Sequence, residues 1–172
     1  MTRRRKMLSD RDAPYMQALI RQMETQSKST LATWAIDYSE AVLIPLWDRS
    51  YPDDSRPISA IHAARERLTG RIKLPEAKKA ILQCHEAAQE ADCVPAAQAA
   101  ARAIGQSASI IHSARHCMGL PFYGALAIAL DRLGTEAEWE FLERQAAEEC
   151  GRMLEMLRSR SVADEPGPAK IN

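Results

Sequence analysis

A chain of 172 residues, 46% of them hydrophobic, carries apolar material for one sizeable core and too little for two, since domains run to roughly 100 to 200 residues. Its 23 basic and 23 acidic side chains cancel, so no global field draws it to nucleic acid or to an anionic membrane. No apolar run reaches the roughly 18 residues of a membrane span, and the start of the chain lacks the apolar region of a signal peptide.

Strand-type alternation is nearly absent while an alanine-rich period of 3.6 residues recurs, so the chain reads as all-α, an array of about seven helices with short connections. Residues 1–13 read as a flexible basic arm, with Arg3, Arg4, Arg5, Lys6 and Arg11 against Asp10. Residues 14–160 read as a single helical domain. A first helix over about 14–27 begins on Pro14 and presents Tyr15, Ala18, Leu19 and Met23. The second, about 31–50, stacks Trp34, Tyr38, Ala41, Val42 and Leu46 and should kink at Pro45, which removes a backbone donor. The third, about 57–69, buries Ile58, Ile61 and Leu68 and stops at Gly70, a residue suited to a left-handed cap.

Pro75 opens the fourth helix, whose face of Ala77, Ala80, Ile81, Cys84, Ala88 and Ala91 is small. The Val94-Pro95 break opens a fifth that runs to about Cys117 with Ala97, Ala101, Ile104, Ala108 and Ile111 in register. Gly119 ends it, and Pro121 begins a sixth carrying Phe122, Leu126, Ala129, Leu130 and Leu133 to Gly134. Thr135 with Glu138 three residues on reads as a capping box for the last helix, 136–160, with Trp139, Leu142, Ala146, Met153, Leu154 and Leu157 inward. Residues 161–172, holding Pro166, Gly167 and Pro168, read as a disordered tail.

The four cysteines, Cys84, Cys93, Cys117 and Cys150, show no Cys-x-x-Cys spacing, which points to a reducing, cytoplasmic setting without a disulfide framework. His112 and His116 stand four apart on one predicted helix face, a spacing that can place two imidazoles on one ion. A zinc-protease helix would need glutamate after the first histidine, where this chain has Ser113, and no third ligand is identifiable, so the pair reads as a polar packing contact. No metal or cofactor is assigned. His62 and His85 lie at helix edges and read as structural. Glu40 and Arg56 are the candidate for a latch between the second and third helices, with Asp53 and Asp54 serving the turn and the helix start. Charge is uneven: residues 65–79 are basic, whereas seven glutamates oppose Arg144 and Arg152 between Thr135 and Glu155. Glu136, Glu140 and Glu143 are read as an outward face that recognises a partner.

Trp34, Glu40, Pro45, the turn Tyr51-Pro52-Asp53-Asp54-Ser55-Arg56-Pro57, Ala60-Ile61 and Leu68-Thr69-Gly70 follow one another in an order that resembles the immunity-protein-five-like family of bacterial polymorphic toxin systems, over residues 31–133. That family shares a tryptophan and glutamate helix, a Pro-x-Asp-x-Arg-Pro turn and a later histidine-bearing helix. The resemblance implies a small cytoplasmic helical protein that neutralises a cognate protein toxin by binding it, without catalysis. It also implies histidines near positions 112 and 116 and often another after the glycine, where this chain has Gln106 after Gly105. Glutamine is a poor transition-metal ligand, which favours polar packing there. Two readings stand beside it: a metal- or small-ligand-binding helical enzyme using His112 and His116, and a helical scaffold that pairs as a homodimer.

Overall fold

Prolines stand in the first turn of five α-helices of this chain, where a fixed φ suits the helix and the missing N–H has no intrahelical partner to lose. The computed structural model describes residues 5–171. Among these, α1 (Pro14–Met23), α2 (Lys28–Tyr38), α3 (Ile44–Ser50), α4 (Arg56–Leu68), α5 (Leu74–Glu90), α6 (Pro95–Ser109), α7 (Ala125–Leu133) and α8 (Trp139–Arg160) are α-helical. A π turn joins α2 to α3 without interruption, so the eight pack as the seven helical bodies expected. No strand accompanies them among the described residues, apart from an isolated bridge between Ser27 and Pro168. No described helix is long and apolar enough to cross a membrane.

The alanine-rich α6 is buried on nearly every side and packs against α2, α3, α4, α5 and α7, because small side chains let five neighbours approach one axis. α8 closes the opposite side, against α1, α2 and α7. The buried apolar residues form one continuous cluster, with Trp34 and Trp47 its largest members.

Pro45 does not break its helix. The chain inserts a π turn at Ser39–Leu43, in which the Ile44 N–H donates to the Ser39 carbonyl five residues back. One extra residue rotates the following surface by about 100°. The core side therefore passes from Trp34 and Tyr38 to Leu43, Ile44, Leu46 and Trp47, leaving Ala41 exposed and Val42 half-buried, contrary to the uninterrupted stripe expected from the sequence.

Gly70 behaves as expected. Its φ of 74° lets the Arg71 N–H reach the Glu66 carbonyl at 2.8 Å and its own N–H reach that of Arg67 at 3.1 Å, which closes α4 in a Schellman cap. Leu68, expected inside, is exposed just before this turn.

The later boundaries differ more. α6 stops at Ser109, and a short 3-10 helix (Ala114–Met118) and a second π turn (Leu120–Gly124) precede α7. Gly119 follows the 3-10 helix instead of ending α6, and keeps a helical φ of −64°. α8 begins at Trp139, after a turn over 135–137, and Thr135 Oγ1 donates to Glu136 Oε1 at 3.2 Å in place of the expected capping box.

Both terminal segments are docked instead of free. Leu8 is buried, and its N–H donates to the Phe122 carbonyl at 3.0 Å; the expected arm also includes residues 1–4, which lie outside the described residues. At the other end, Glu165 accepts from the Ser27 N–H at 2.7 Å, Ser27 Oγ at 2.8 Å and Thr30 Oγ1 at 2.6 Å, so a distant carboxylate completes the start of α2. Ile171 is 3% exposed. Low apolar content suggested disorder, but Gln26 also exchanges hydrogen bonds with Val162 and accepts from the Ala169 N–H at 2.8 Å, so polar contacts along with Glu165 and Ile171 tie the tail down.

Candidate functional site

His112 and His116 come together without sharing a helix. α6 has already ended, so His112 lies in the turn that follows and His116 in the 3-10 helix, with ring centroids 5.0 Å apart at an interplanar angle of 63°. His116 Nδ1 donates to Gln106 Oε1 at 2.7 Å, which joins this turn to the last part of α6. His112 Nδ1 is buried without a hydrogen-bond partner among the described residues.

Two glycines make this corner possible. A Cβ at Gly105 would lie 2.6 Å from His85 Cε1, and a Cβ at Gly119 would lie 2.2 Å from the Gln106 Cβ. Each glycine therefore permits a close approach, α5 onto α6 in the first case and the 118–120 backbone onto α6 in the second. Burial lowers the pKa of all three imidazoles, and a charge on His116 would disfavour one on His85 or His112 as well. Burial in the corner thus favours the neutral form of each ring. No group of three or more His, Cys, Asp or Glu side chains with the arrangement of a metal site occurs among the described residues.

Glu40 and Arg56, expected to latch, belong to two separate ion networks. Arg56 Nη2 reaches Asp54 Oδ2 at 2.7 Å and Glu90 Oε2 at 2.6 Å, and its Nε also donates to Asp54 at 2.9 Å. The guanidinium ties the turn before α4 to the end of α5, and its hydrogen bonds hold Asp54 below the usual carboxylate range. Glu40 pairs with Arg65, which also reaches Asp37 at 2.9 Å. Arg56 is itself the first residue of α4, and the π turn places Glu40 beside later turns of that helix, where Arg65 meets it. Asp53 is exposed in the turn.

The glutamates near α8 divide by face. Glu149 is buried, accepts from Tyr38 Oη at 2.5 Å and pairs with Arg152 at 2.7 Å and Arg132 at 3.6 Å. Burial, then Glu149 itself, pushes the Tyr38 phenol far up. Glu143 is half-buried beside Tyr15, whose phenol rises to about 12 through burial first and Glu143 second. Glu136 and Glu140 are exposed, and Glu140 pairs with Arg144 at 3.5 Å. The expected trio therefore splits, since Glu143 turns towards α1.

Beside the exposed pair the structure brings out two apolar side chains. Phe141 is 50% exposed and Leu133, expected inside, is 43% exposed. With Ala137, Arg144, Gln145 and Glu148 they line an open groove between the end of α7 and the start of α8. The signal for Phe141 was present in the sequence: it falls off the Trp139, Leu142 and Ala146 stripe, so an aromatic ring stands on the polar side of an amphipathic helix.

No curated protein and no solved structure matches this chain. A family model does, across residues 21–155, a span that takes in the Asp54 and Arg56 turn, the histidine corner and the α7–α8 groove. By that match, the chain belongs to the family described as Imm-5 like putative immunity protein.

Proposed function

We propose that this protein neutralises a cognate protein toxin by binding it, without catalysis, through the edge formed by the end of α7 and the start of α8. The observation that carries this reading is the exposure of Phe141 and Leu133 next to Glu136, Glu140 and Glu148. An aromatic side chain in water contributes little to folding, whereas against a partner it can anchor a desolvated patch. Surrounding carboxylates favour a basic partner and speed its approach. Membership of the immunity family supports a protein as the ligand. The histidine corner supports a structural role for His112 and His116, because its imidazoles are packed to stay uncharged and Gln106 takes the free Nδ1 of His116.

The test is co-purification with the toxin domain encoded beside this chain. Wild-type protein should hold the toxin and suppress its activity. The double variant Leu133→Ser with Phe141→Ser should lose about 2 kcal/mol of affinity or more while keeping its melting temperature. Full affinity in that folded variant would move the interface elsewhere, and failure of the wild type to protect against the toxin would remove the immunity reading itself.

A further inference from the structure

We propose that the cleft between the N-terminal arm, α6 and α7 is a binding site for an aliphatic monocarboxylate of about four to six carbons. Its floor is apolar: Ala99, Leu126 and Leu130 are buried beneath it. Its rim is cationic, with Arg5 and Lys6 from the arm and Arg102 from α6, against the single carboxylate of Asp92. The space in this partly open cleft measures about 130 Å³. A dry cavity of about 150 Å³ holds a benzene ring, so a short branched hydrocarbon fits here.

Each arginine has an aromatic neighbour: the Arg5 guanidinium carbon lies 4.7 Å from the Trp139 ring centre and that of Arg102 5.9 Å from that of Tyr123. A cation–π contact of this kind favours the charged guanidinium without consuming a hydrogen-bond donor on an acceptor, so the N–H groups can still bind a carboxylate. The arm that supplies Arg5 and Lys6 is anchored by the burial of Leu8 and its backbone bond to Phe122, so the two cations are held over the cleft. Ala99 is the smallest side chain lining the space. A larger aliphatic side chain at that position would fill it.

The two halves of the cleft select the ligand together. Inorganic phosphate would satisfy the cations and leave the apolar floor wet, whereas a neutral hydrocarbon would cover the floor and leave three cations unanswered. A carboxylate on a short aliphatic body answers both. The same chemistry can be supplied by a free branched-chain acid or by the C-terminal leucine of a peptide.

The experiment is calorimetric titration of the full chain with 4-methylpentanoate, with its amide, and with two peptides ending in leucine, one free-ended and one amidated. One acid should bind per chain, with the amide about tenfold weaker or more, since it loses the charge-assisted contacts. Arg102→Gln should weaken the acid about tenfold, as should the pair Arg5→Gln with Lys6→Gln, which lies on the exposed arm and spares the core. Ala99→Leu should abolish binding by filling the space. Tighter binding by the free-ended peptide than by the acid assigns the site to a chain terminus, and weaker binding assigns it to a free acid; either supports the site. Equal affinity for acid and amide, unchanged affinity in folded Ala99→Leu, or no binding by the acid and the free-ended peptide alike would overturn it.

Discussion

The histidine corner and the α7–α8 edge both set titratable side chains beside apolar ones, yet they are built in opposite ways. In the corner, two glycines bring backbone against ring and backbone against Gln106, and each imidazole is held neutral by what surrounds it. At the edge, Phe141 is half exposed and Glu140 exposed, with Arg144 lying over the Phe141 ring at 5.6 Å and pairing with Glu140 at 3.5 Å. The difference separates residues that this fold needs from residues that a partner could use. A polar group that costs stability when changed and a polar group that costs binding when changed can share a sequence neighbourhood and still be told apart by what backs them.

The sharpest way to break the comparison is at the glycines. Gly119→Ala should cost about 3 kcal/mol in urea unfolding, because its methyl group meets the Gln106 Cβ and backbone must move. Gly151→Ala in α8 meets nothing within 4 Å, and should stabilise by about 0.5 to 1 kcal/mol. Equal and small effects at both sites would mean that the corner is loose.

Acid should find the corner before it finds anything else. The folded pKa values of His85, His112 and His116 lie below the ordinary 6.5, so the unfolded chain takes up protons first and the folded state loses stability as pH falls through and below that value. Their contribution is complete above it. The lowered carboxylates, Asp54, Glu90 and Glu165, act later, below their ordinary values of 3.8 and 4.5. Urea midpoints should therefore drop between pH 7.5 and 5.5, and His116→Gln should flatten that drop while preserving a side chain that can reach Gln106. A midpoint that holds constant to pH 5.5 would contradict neutral, buried rings.

The edge should give the smallest effect on folding. Glu136→Gln with Glu140→Gln should change stability by no more than about 0.5 kcal/mol, while slowing association with a basic partner and reducing its dependence on salt. An unchanged association rate across a salt titration would leave these glutamates as a solubilising surface. A large loss of stability would instead make the edge a second corner.

Helix starts were legible because proline acts locally: Pro14, Pro57, Pro75 and Pro95 each begin what they were expected to begin, and Gly70 closes α4 by its own φ. The π turn at Ser39–Leu43 was not legible, since periodicity assumes one rise and one rotation per residue and cannot register an inserted one until a neighbouring helix shows which side is buried. Gly119 was misread for a related reason. A glycine that terminates a helix and a glycine that admits a neighbouring side chain are the same letter, and only the opposing atom distinguishes them. His112 and His116 lie with ring centroids 5.0 Å apart, brought there by a turn and a 3-10 helix and not by the helix face that suggested the pairing. Glu165, 138 residues from Ser27, had no sequence signal at all.

That last contact bears on how the chain is made. At about 5 to 20 residues per second, the ribosome needs about 7 to 28 seconds after adding Ser27 to reach Glu165, and the tail must then clear the exit tunnel. Until it does, α2 starts on its local cap alone, the Thr30 N–H donating to Ser27 Oγ at 3.2 Å, and lacks the carboxylate that the tail adds. The beginning of α2 is among the first parts synthesised and among the last to receive all its hydrogen bonds.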